Sequence, residues 1–345
     1  MPEPSAQAQR SLVNGNVQFA VIDSALYPEH LKEMPNLWMV PSLAQGVAIV
    51  FNVPIDGVLL EELNITREQL ANIFLGRTLQ WAGLAASNPI LASVRHNITL
   101  VVRRENCFLS RILTSALSSF SPEWKGKVGT NSDPLWPRKD ALRRSGDSEV
   151  ASTILEIPYS IGYVSDTYIK DTKVSPHVAR ISNKAGEFVT ATDGSLAAAM
   201  TCFSWGTGTS RQARHGSVFY RDIVDPPEEA DHDGISCTDA YPIVGNAYFV
   251  FNIDTLTCSM LHDVLYLIVW SWENELASEI ARRQAATPIP RSVYLPLMER
   301  MASIQCGGDS VMLTVIKQLL PEPCKQGERA RSVALRMCLD DRFWT

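Results

Sequence analysis

The sequence predicts an α/β fold built around a parallel or mixed sheet. Two observations carry that expectation. Short β-branched apolar runs alternate along the chain with stretches whose apolar residues recur at helical spacing. The composition, 46% hydrophobic and 20% charged over 345 residues, is that of a globular chain long enough for two lobes.

In order, "VQFAVI" (residues 17–22) and "GVAIVFNV" (residues 46–53) read as short buried strands joined by Pro-bearing connections. Residues 64–76 form a helix. Thr66 and Gln69 make a capping box, Leu70, Ile73 and Phe74 an apolar stripe, and Gly76 ends it. Residues 97–102 are a strand and 108–120 a helix, followed by a polar loop over 124–146. A helix at 147–156 precedes the buried strand 160–164, and 195–202 is helical. Residues 205–238 are turn-rich, 241–251 form a long buried strand, and 261–283 one long helix with two or three more beyond it.

The net charge of −6 argues against nucleic acid as a partner. The longest apolar run, residues 264–270, is far below the roughly 20 residues of a membrane span, so no direct membrane insertion is expected. The first ten residues show no apolar signal-peptide core. None of the seven cysteines forms a C-x-x-C pair, and the odd count leaves at least one thiol free or intermolecular. Asn64 and Asn97 each open an N-x-T sequon. Cysteines and sequons together point to an extracellular or cell-surface setting, periplasmic in a bacterium.

Several stretches in the same order resemble the phosphate-binding proteins of bacterial phosphate uptake transporters. They are "NGNVQFAVIDSAL" (14–26), "LANIFLGRTLQWAG" (70–83) with Asn88-Pro89, "SFSPEWKGKVG" (119–129) with Trp136-Pro137, "GDSEVASTILEIPYSIGYVSDTY" (146–168) and "AYPIVGNAYFVF" (240–251). The resemblance covers roughly residues 5–305. It implies a type II periplasmic-binding-protein fold: two α/β lobes, a hinge and a ligand cleft between them. Lobe one would hold residues 1–53 and 241–305, lobe two residues 54–240, and residues 306–345 a helical extension. The family's first strand and its glycine-rich loop are missing from the match, and Ser5 is the nearest counterpart of its second serine-bearing loop.

The ligand site of the family falls on "TLVVRRENCFLSRILTSAL" (99–117), a strand, a basic turn and a helix. Unpaired amides at a helix start favour an anion there. The family motif R-S-D-G-S-G-T keeps its arginine as Arg103 and an acid as Glu105, while Cys107, Phe108 and Leu109 replace Ser-Gly-Thr. Asp23 matches the aspartate that takes a proton from bound phosphate. Losing two hydroxyl donors weakens an anion by about a hundredfold or more. Each residue has a second reading. Arg103 either contacts the anion or pairs with Glu105 or Asp23. Residues 107–109 either line the ligand or pack a core or a closed lobe interface. Asp23 either accepts the proton or forms a structural ion pair.

Other motifs are weaker. "WGTGTS" (205–210) lacks the G-K-[ST] of a phosphate-cradling loop. Glu228, Glu229, Asp231, His232 and Asp233 read as a solvated acidic loop before a cation site. No G-x-S-x-G elbow or histidine triad marks an enzyme, and no cofactor is implied. The expected function is therefore binding of phosphate or a similar small oxyanion, with a membrane permease or an attached signalling or adhesion module as partner. The alternative is a non-binding structural, interaction or sensor ectodomain on the same fold.

Overall fold

The computed structural model describes residues 4–26, 28–172, 176–205, 218–230, 236–283 and 286–319. Helix α1 (Pro4–Val13) leads into strand β1 (Phe19–Ile22) and then β2 (Leu37–Asn52). Helix α2 (Arg67–Leu75) follows, then β3 (Thr99–Arg103), α3 (Phe108–Phe120) and β4 (Leu142–Arg144). The middle of the chain continues as α4 (Gly146–Glu156), β5 (Ser160–Ser165), α5 (Asp166–Asp171) and α6 (Asp193–Thr201). Last come β6 (Val244–Asn252), α7 (Cys258–Glu273), α8 (Glu275–Arg283), β7 (Thr287–Pro288), α9 (Arg291–Met301) and α10 (Val311–Leu319).

The local signals act as their chemistry predicts. Thr66 and Gln69 form the reciprocal capping box of α2, and Gly76 closes it at φ 76°. Helix α3 has the predicted bounds because its apolar residues Leu109, Ile112, Leu113, Ala116 and Leu117 form one buried stripe. Strand β2, in contrast, begins nine residues before the predicted strand. Pro41 hides it, yet Pro41 pairs with Tyr248 at a register shift, and a bulge tolerates a residue with no N–H. The predicted long helix divides at Asn274, whose backbone is extended and whose Oδ1 accepts from the Leu276 amide to start α8. The polar loop holds a short helix, Pro122–Lys127, and β4, which pairs parallel with β3.

The molecule has two α/β lobes in the manner of type II periplasmic binding proteins, and β2 serves both. From Leu37 to Gly46 it pairs antiparallel with β6, and from Val47 to Asn52 with β5. β6 lies between β1 and β2 and bonds to both, leaving no open groove there. In the other lobe β5 pairs parallel with β3. Helices α5 and α6 and the segment before β6 meet this exchange point. The Gly46 amide donates to Asp166 Oδ1 at 2.9 Å, and the Tyr241 hydroxyl donates to the Val47 carbonyl at 2.7 Å. Gly46 has no room for more, since a Cβ would sit 2.8 Å from Leu196 Cδ2. One apolar core runs through both lobes, from Trp38, Val40 and Phe251 to Phe74, Trp124 and Trp136.

Two disulfides join Cys202 to Cys237 and Cys258 to Cys306, and Cys107 is a free thiol. Beyond β7 and α9, the tight pair Gln305–Cys306 and Asp309–Ser310 leads into α10, which packs on α7. The rest of the expected extension, with Cys324 and Cys338, lies outside the described residues, as do residues 206–210 of "WGTGTS" and residues 231–233 of the acidic loop. Among the described residues, no helix is long and apolar enough to cross a membrane.

Candidate functional site

The turn after β3 keeps its arginine but spends it internally. Arg103 Nε donates to Glu105 Oε1 at 2.7 Å and its Nη1 to Asp147 Oδ1 at 2.5 Å. The Gly146 amide donates to the same Glu105 oxygen at 3.0 Å, and Ser165 donates through its hydroxyl to Asp147 Oδ2 at 2.6 Å. Burial alone would lower the Arg103 pKa, but Asp147, Cys107 and Glu105 outweigh it and raise it. Burial likewise pushes Glu105 up, yet the Gly146 amide, its own amide and Arg103 bring it below the usual carboxylate range. Arg103 is therefore a neutralised strut between β3 and α4.

The helix start has been rebuilt in the same direction. Cys107 sits at the N-cap of α3 with no side-chain cap bond, and its Sγ lies 3.2 Å from Ser110 Oγ. That hydroxyl is 2.7 Å from the Tyr163 hydroxyl, whose pKa is pushed up chiefly by burial. Leu109 is buried in the core. Phe108 and Ile112 lie on the backbone of β6: a Cβ on Gly245 would stand 2.7 Å from Ile112 Cγ1 and 3.3 Å from Phe108 Cζ. Helix α3 of one lobe thus rests on a bare strand of the other, at the place where the sequence predicts an anion.

A small pocket of about 30 Å³ remains beside this contact. Asp23 and Phe108 line it, joined by Arg111, Ser115, Tyr220, Asp222 and Asn246, among others. Arg103 and Glu105 do not line it. The Arg111 guanidinium lies beside the Tyr220 hydroxyl. Burial and Asp222 raise the Tyr220 pKa, and Arg111 opposes them. Helical spacing puts Phe108, Arg111, Ile112 and Ser115 on one stripe, so Arg111 is legible as a neighbour of Phe108, although the family motif ends at Leu109. Tyr220 to Asp222 belong to an irregular segment and carried no pattern to find.

That segment, residues 218–225, straps the two lobes together. Val218 bridges Met39 of β2, and Tyr248 Oη donates to the Arg221 carbonyl at 2.6 Å. On the other lobe, Ser115 Oγ donates to Asp222 at 3.0 Å. Asp225 is buried at φ 52° and takes Arg67 Nη2 at 2.7 Å and Ser119 Oγ at 2.5 Å. Lys184 donates to its carbonyl at 2.7 Å. Ser5 lies in α1, and its side chain is outside the described residues. Of the sequons, Asn97 is exposed, whereas Asn64 sits in a short strand with its Oδ1 buried.

Comparison with known proteins agrees with this architecture. The phosphate-binding protein PstS of Xylella fastidiosa is 28% identical over 260 residues, covering 75% of this chain and 65% of that protein. PstS of Haemophilus influenzae is 29% identical over 203 residues, 58% of this chain and 59% of that protein. The chain thus spans under two-thirds of the length of these curated relatives. A putative serine/threonine-protein kinase/receptor of Acanthamoeba polyphaga mimivirus is 22% identical over 317 residues, 85% of this chain but 18% of that protein. Among solved structures, a high affinity periplasmic phosphate-binding protein bound with phosphate superposes with a TM-score of 0.61 at 17% identity, over 90% of this chain and 89% of that one. The PBP superfamily domain model matches residues 2–252, and with two lobes joined through β2 around a cleft, this chain belongs to the PBP superfamily.

Proposed function

We propose that the chain is a solute-binding module that takes phosphate or a related small oxyanion between its lobes, acting by binding and not by catalysis. The observation that carries this reading is the position of Asp23. It matches the family's proton-accepting aspartate, and it lines a small pocket beside the interlobe contact of α3 and β6. Lobe one is assigned residues up to Gly46 and from about Val244, lobe two the residues between, with hinges where β2 changes partners and where the chain returns to β6. Arg103, Glu105, Cys107 and Leu109 support the pocket wall, and Phe108 narrows it. Two disulfides among the described residues favour an oxidising compartment, extracellular or periplasmic. A permease or an attached module would receive the ligand or the closure signal.

Titration calorimetry of the purified chain with phosphate, arsenate and sulfate tests this. Saturable binding is expected at micromolar to millimolar ligand, weaker than a site with a full set of hydroxyl donors. Absence of heat with all three anions at millimolar concentration overturns it.

A further inference from the structure

Asp222 and Arg221, two of the pocket's charged groups, hold partners within the protein. Asp222 accepts from Ser115 Oγ at 3.0 Å and from the Val224 amide at 3.2 Å. Arg221 Nη2 donates to the Ser204 carbonyl at 3.1 Å. Arg111 is different. Its guanidinium lies beside the Tyr220 hydroxyl and carries five N–H donors, more than one phenol oxygen can accept.

Opposite lies Asn246 of β6, only 4% exposed. Neither its Oδ1 nor its Nδ2 makes a well-formed hydrogen bond. The amide lies beside the Tyr248 hydroxyl, which is itself committed to the Arg221 backbone. A buried amide left so is uncommon, and a ligand oxygen that accepts from Nδ2 satisfies it. Gly245 next to it brings the strand backbone close, and Phe108 closes the side towards the helix start.

We propose that the anion subsite has moved one helical turn along α3, from residues 107–109 to Arg111, with Asn246 and Tyr220 as the other polar contacts. This rests on the oxyanion reading above and names the residues that replace the family's hydroxyl donors. A planar guanidinium engages two oxygens of one oxyanion, and Asn246 reaches it from the other lobe, so the ligand bridges both. Asp23, on the same pocket wall, meets the protonated oxygen of a hydrogen-bearing anion. One guanidinium, one carboxamide and one phenol converging on a small pocket suit a small inorganic oxyanion.

The test compares phosphate titration of wild type with Arg111→Gln, Asn246→Ala and Arg282→Gln. Arg282, an exposed residue of α8 that does not line the pocket, makes the same change of net charge. Arg111→Gln is expected to weaken phosphate by about ten- to a hundredfold, Asn246→Ala by several-fold, and Arg282→Gln not at all. In wild type, phosphate is expected to shift the NMR ring resonances of Tyr220, which keeps the test open if a variant folds poorly. Wild-type binding with Arg111→Gln and Asn246→Ala unchanged, or with Tyr220 unmoved, overturns this assignment and leaves the oxyanion reading intact. No wild-type binding of any oxyanion overturns both.

Discussion

Asp166 places a fully buried carboxylate at the residue where β2 passes from one lobe to the other. Burial raises its pKa, and Lys170 at 2.9 Å and the Gly46 amide offset only part of that. Asp193 also holds Lys170 and receives the Thr287 hydroxyl from β7, so the cluster spans the exchange point. A carboxyl whose folded pKa lies above its unfolded one binds its proton more tightly in the native state. Its contribution is then largest below the ordinary aspartate value near 4 and falls as pH rises through the raised value. Urea unfolding from pH 4 to 8 is expected to show this decline, and Asp166→Asn to flatten it while keeping an acceptor for Gly46. An unchanged slope in that variant refutes the assignment. Residue chemistry was unevenly legible. The Arg103–Glu105 pair could be read two positions apart, but Asp147, 44 residues on, reaches the same guanidinium only through the α4 turn.

Helix α3 was readable from end to end because its apolar period and its flanking turn agree, and β5 was readable from its unbroken apolar run. Strand β2 was half hidden because Pro41 reads as a breaker, although the bulge opposite makes it harmless. The contact of α3 on β6 could not be read at all, since Gly245 looks like any strand glycine until Ile112 and Phe108 are seen against it. That contact decides the width of the cleft. Gly245→Ala is expected to lower stability by about 1–3 kcal/mol, because the new methyl pushes into a packed helix start. Gly126→Ala, with nothing within 4 Å of its Cβ, is the matched control and is expected to be neutral or stabilising. Equal urea midpoints for wild type and Gly245→Ala would show that the lobes do not rest on this glycine.

At the scale of the whole molecule, the disulfides close loops across separations of 35 and 48 residues. In the chain-entropy account, loops of that size contribute about 4 kcal/mol each. Reductant is expected to lower the melting temperature by several degrees, and a non-reducing peptide map to show both bridges with Cys107 open to alkylation. Identical melts with and without reductant count against the pairing. Neither bridge was legible, since seven cysteines leave the partners undetermined from sequence. The two-lobed plan was legible through the colinear family stretches, but not that its lobes share a strand. That sharing has a thermodynamic consequence. The 16 residues of β2 complete the hydrogen-bond ladders of both sheets, so neither lobe can lose order without stripping a strand from the other. The halves are thus a single melting unit, and a cut anywhere in β2 leaves two incomplete sheets instead of two separable domains.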